Sequence, residues 1–68
     1  MLLKLLLVSG VIKCRCRFIG KLKNHNMHAE FYYNPLKCPN VYAIPDEWLN
    51  AEVVEIFPGE YRLDIYVK

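Results

Sequence analysis

The sequence predicts a mainly β domain with one short helix, in the order β-β-β-α-β-β, spanning residues 1–68 as one small unit. Apolar and polar side chains alternate with a period of two in several stretches, which is the mark of half-buried strands. Prolines and glycines punctuate those stretches at short intervals. A chain of 68 residues also buries only about 60% of the surface its unfolded form exposes, so its core is small.

Residues 2–8, "LLKLLLV", read as a buried strand, with a short helix as the rival assignment. Ser9-Gly10 suits a two-residue turn or a bulge. In "VIKCRCRFIGKLK" the residues Ile12, Cys14, Cys16 and Phe18 share one parity, and Lys13, Arg15 and Arg17 share the other. A strand over residues 12–19 follows, then a polar loop, "GKLKNHN". Met27, Ala29, Phe31 and Tyr33 alternate with His28, Glu30 and Tyr32, predicting a third strand. The two prolines of "NPLKCPN" exclude a central strand there. "IPDEWLN" places Pro45 and then acidic residues where a helix begins. Val54 and Ile56 alternate with glutamates, "FPGE" turns the chain, and Tyr61, Leu63, Ile65 and Val67 share the face expected to be buried.

Composition narrows the class. Apolar residues make up 54% of the chain, with five Tyr, three Phe and one Trp, which argues against disorder. So much apolar surface on so small a domain predicts contact with another chain, and a homodimer is expected. Three cysteines make no disulfide framework and are read as reduced thiols, which predicts a cytoplasmic protein. The opening apolar run is broken at Lys4 and is too short to span a membrane, and it lacks the features of a signal peptide. No membrane association is expected. Net charge is +2, yet residues 1–34 carry six cations against one acid, and residues 35–68 carry three against six. A basic face and an acidic face follow.

Val41 to Lys68, "VYAIPDEWLNAEVVEIFPGEYRLDIYVK", resembles the second half of the AbrB-like swapped-hairpin DNA-binding domains. Ile44-Pro45, Trp48, the alternating "EVVEI" and the closing apolar strand carry the resemblance. Short archaeal and mobile-element members have a similar Ile-Pro-x-x-Trp start to the helix. The resemblance implies a swapped-hairpin-like dimer that regulates transcription from DNA. A small OB-like barrel is the alternative architecture. Ahead of Val41 the chain departs from the family pattern, which usually has a compact glycine-containing hairpin there.

On a strand, Lys13, Arg15 and Arg17 would project at about 6.5–7 Å intervals, close to two phosphate steps of one nucleic-acid strand. With Lys21 and Lys23 they form the expected nucleic-acid-binding set, DNA being the expected partner. The competing account is that these cations keep an edge strand from pairing. Tyr32 or Tyr33 could pack against sugar or base, or serve the core instead. Cys14, Cys16, His25 and His28 make a conceivable zinc set, but Cys-x-Cys inside an alternating strand fits two core residues better. No metal, cofactor or catalytic residue is therefore expected. The carboxylates lie near turns, and Cys38 has no orienting partner, so the chain is not expected to be an enzyme. The expected function is that of a small DNA-binding regulator from an archaeal or viral mobile element, acting by stoichiometric binding. The alternative is a phage- or virus-encoded protein-interaction module that inhibits a host factor.

Overall fold

The computed structural model describes residues 1–22 and 27–68. Four strands form one mixed sheet: β1 (Cys16–Gly20), β2 (Ala29–Tyr33), β3 (Val53–Pro58) and β4 (Leu63–Val67). Their spatial order is β2-β1-β4-β3. β1 runs antiparallel to β2 and parallel to β4, and β3 closes the sheet as an antiparallel neighbour of β4. The mainly β class is as expected. The sheet is open, with β2 and β3 as its edges, so the closed five-stranded barrel does not form.

The first element is a helix, α1 (Leu3–Val8), and the order is therefore α-β-β-α-β-β rather than β-β-β-α-β-β. Leu3 and Leu7 are the buried residues of α1, one helical turn apart, while Leu5 and Val8 face outward. Six residues are too few for a helix to stand alone. Tertiary bonds hold it: the Leu3 N–H donates to the Ala51 carbonyl at 2.9 Å, and the Val53 N–H donates to the Met1 carbonyl at 2.8 Å. Gly10 follows with φ of 78°, a left-handed conformation that a side chain would strain.

A second correction concerns the basic stretch. The strand expected over residues 12–19 is confined to Cys16–Gly20, because only there do β2 and β4 supply partners on both sides. Cys14 is consequently exposed, and Cys16 and Phe18 are buried. At Gly20 the parallel neighbour comes so close that a Cβ would run into the Val67 carbonyl oxygen.

The core lies on one face of the sheet. Cys16, Phe18, Tyr33, Ile65 and Val67 meet Leu3 and Leu7 of α1, and Trp48 and Leu49 of the short helix α2 (Asp46–Leu49). The Trp48 ring sits 6.2 Å from Phe18 and 6.1 Å from Phe31, centroid to centroid. Ile44 is buried in the same cluster, so the segment read as a helix start does pin α2 against the sheet. Full burial of each such side chain stabilises by roughly 1.5–3 kcal/mol.

Candidate nucleic-acid interface

The sheet face opposite the core collects the side chains of the other parity, and Arg17 stands near its centre. β1 sets Arg17 beside Tyr32 of β2 and Asp64 of β4. Its Nε and Nη2 donate to the two Asp64 carboxylate oxygens at 3.1 and 3.0 Å, and Nη1 reaches Glu30 at 3.4 Å. Asp64 also lies 3.5 Å from Arg62 Nε. Hydrogen bonding from Arg17 holds the Asp64 carboxyl below its usual range, and the same bond raises Arg17 further. This guanidinium is engaged by two carboxylates within its own chain, so it has little charge left for a phosphate.

The rest of the expected set divides. Lys13 and Arg15 precede β1 and are exposed, and Lys21 follows β1 and is exposed. None of these three holds a carboxylate among the described residues. At ~3.3 Å per residue, Arg15 and Lys21 are about 20 Å apart along the strand, so the cations gather at two ends instead of forming an even stripe. Lys23 lies outside the described residues, as does His25. His28 and Cys14 are exposed while Cys16 is sealed in the core, so the two cysteines do not share one accessible face. Burial pushes the Cys16 thiol up to about 12, with Cys14 adding to the shift.

Sequence reasoning missed what forms at one end of the sheet. Because β1 and β4 are parallel and β2 is antiparallel to β1, the starts of β1 and β4 meet the end of β2. Arg15, Tyr32, Tyr33, Asn34, Tyr61 and Arg62 line a cleft of about 230 Å³ there, with Cys16 alongside them. The lining holds two guanidiniums, three phenol rings and no carboxylate. Arg62 lies 5.4 Å over the Tyr32 ring, within cation–π reach. Tyr61 is 80% exposed, contrary to the buried position its parity predicts, because β4 begins only at Leu63 and leaves Tyr61 in the turn.

Tyr33 is 6% exposed, and its hydroxyl is enclosed without a hydrogen-bond partner among the described residues. Desolvation, then the thiols of Cys38 and Cys16, push the Tyr33 phenol up. Asn34 Oδ1 accepts from the Leu36 N–H at 3.0 Å, which leaves its amide hydrogens available. The alternation of residues 27–33 gave the burial of Tyr33 and the exposure of Tyr32. It could not show that residues 15, 33 and 62 meet, since that depends on pairing between distant strands.

No helix among the described residues is long and apolar enough to cross a membrane. No protein-family model, curated protein or solved structure matches this chain.

Proposed function

We propose that this protein binds nucleic acid stoichiometrically, as a small regulator, and carries out no chemistry on it. One observation carries the reading. Lys13, Arg15 and Lys21 are exposed cations without a carboxylate partner among the described residues, while Glu30 and Asp64 are both engaged by Arg17. Uncommitted cations can take the place of counterions on phosphates, and the release of those counterions dominates nucleic-acid affinity. A titration of labelled single-stranded and duplex DNA at two salt concentrations tests it. Salt-sensitive binding is expected, and failure to bind either DNA at low salt would sink the reading.

A second reading is favoured by β3. Beyond Val53, whose N–H is held by the Met1 carbonyl, this edge strand carries exposed Val54, Ile56 and Phe57, and a sheet edge of this kind is a template for strand addition by another chain. The occupant we favour is a second copy of the chain, as the apolar composition predicts. A protein-interaction role with a host factor would use the same edge, with Glu52 and Glu55 supplying its acidic character.

A further inference from the structure

The geometry points to a nucleotide subsite in the cleft between the starts of β1 and β4 and the end of β2, which takes one unstacked nucleotide of a single strand. The inference rests on the nucleic-acid reading and adds to it the strand state and the site. Its chemistry matches both halves of a nucleotide: Arg15, which holds no carboxylate among the described residues, suits the phosphate, and the rings of Tyr32 and Tyr61 suit the base.

Size decides between ligand classes. At about 230 Å³ the cleft is smaller than the roughly 300–1,000 Å³ that drug-sized ligands occupy, so it fits a single planar ring better than an extended cofactor. Tyr61 supplies the second argument. It stands 80% exposed in the turn and engages no ring or hydrogen-bond partner among the described residues, so the fold makes no use of its aromatic face. Arg62 already lies close enough over Tyr32 to extend that platform with a guanidinium plane.

A polar group adds a third. Asn34 lines the cleft, and its Oδ1 already accepts from the Leu36 N–H, which leaves its amide hydrogens for a base edge. A base inside a duplex is stacked on both faces and presents only its edge to a groove. Rings arranged to stack on a base therefore select a strand whose bases can splay out.

Fluorescence anisotropy tests the site with a labelled thymidine oligonucleotide of about 12 residues, within the span such strands occupy on small binding domains, a duplex of equal length and a phosphotyrosine peptide. The single strand should bind more tightly than the duplex. Tyr61→Ala should weaken the single strand about tenfold, the effect of losing one stacked base, and leave the duplex unchanged. Tyr61→Phe should restore the wild-type value, because the ring and not the hydroxyl stacks. Arg15→Gln should reduce the single-strand salt slope by about 0.7. If the wild type binds DNA but Tyr61→Ala matches it on single strands, the subsite is wrong and the nucleic-acid reading survives. If the wild type binds neither DNA at low salt, both fail. Preference for the phosphopeptide, lost in Tyr61→Ala, would overturn the assignment in favour of a phosphoprotein site.

Discussion

Arg17 and Asp64 are register partners on the parallel strands β1 and β4, and they form a two-pronged ion pair at 3.1 and 3.0 Å. Arg17 should therefore behave as a structural cation. Asp64 has a folded pKa below its ordinary value of 3.8, so the stability it contributes is fully present above about pH 4. That stability is lost as pH falls through the lowered folded value. Denaturant titrations from about pH 5 down to about pH 2 should show wild-type stability declining, with a shallower decline in Asp64→Asn. Equal slopes in the two proteins would remove the linkage.

Trp48→Ala should cost about 3–5 kcal/mol, as expected for emptying an aromatic site packed against both Phe18 and Phe31. Urea unfolding followed by circular dichroism measures it. A loss under about 1 kcal/mol would mean that α2 is not pinned by this ring.

Thiol titration should separate the three cysteines. Cys14 and Cys38 are exposed and should react promptly with a disulfide reagent at neutral pH, whereas buried Cys16 should react only after unfolding. The Cys16 thiol is raised from 9.0 to about 12, so its contribution to stability is complete below about pH 9 and disappears as pH rises through 12. Three equally fast thiols in the native protein would contradict this packing.

Replacing Lys13, Arg15 and Lys21 together with Gln should leave the fold intact, since all three are exposed. It should lower the magnitude of the log-affinity against log-salt slope on B-form DNA by about 0.9 for each phosphate no longer neutralised. An unchanged slope would assign these cations to keeping the surface hydrated.

Sedimentation should report about twice the 8.0 kDa chain mass at micromolar concentration. Val54→Lys places a charge on the exposed β3 edge, so it should return the protein to a monomer and remove the concentration dependence that dimerisation gives to wild-type unfolding. A dimer that persists in Val54→Lys would move the interface away from β3.

The parts of the fold legible in the sequence were those governed by near neighbours. Alternation gave the buried parity of Cys16 and Phe18, the inward Phe31 and Tyr33, and the β3–β4 hairpin. It failed on residues 2–8, where a nearly uniform apolar run fits either period and only packing of Leu3 and Leu7 decides. It also extended β1 too far, because the same alternation continues through residues 12–15 where no neighbouring strand pairs. Arg17 was correctly placed on the outer face, but its commitment to Asp64 required knowledge of the parallel register. The tyrosine–arginine cleft was illegible for the same reason.

That parallel seam has a consequence for how the chain folds. β1–β2 and β3–β4 are each antiparallel pairs of consecutive strands, while the β1–β4 seam joins Arg17 to Asp64 across 47 residues. The entropy of closing so long a loop must be lost before the seam gives anything back, so the seam is expected to form after the two antiparallel pairs. β4 also follows β1, β2 and β3 along the chain. A nascent chain halted before Leu63 holds neither the seam nor a partner for β3, and Phe18 waits without Ile65 across the sheet. Until β4 docks, the apolar faces of the other strands stay uncovered, and that interval is when the chain is most exposed to aggregation.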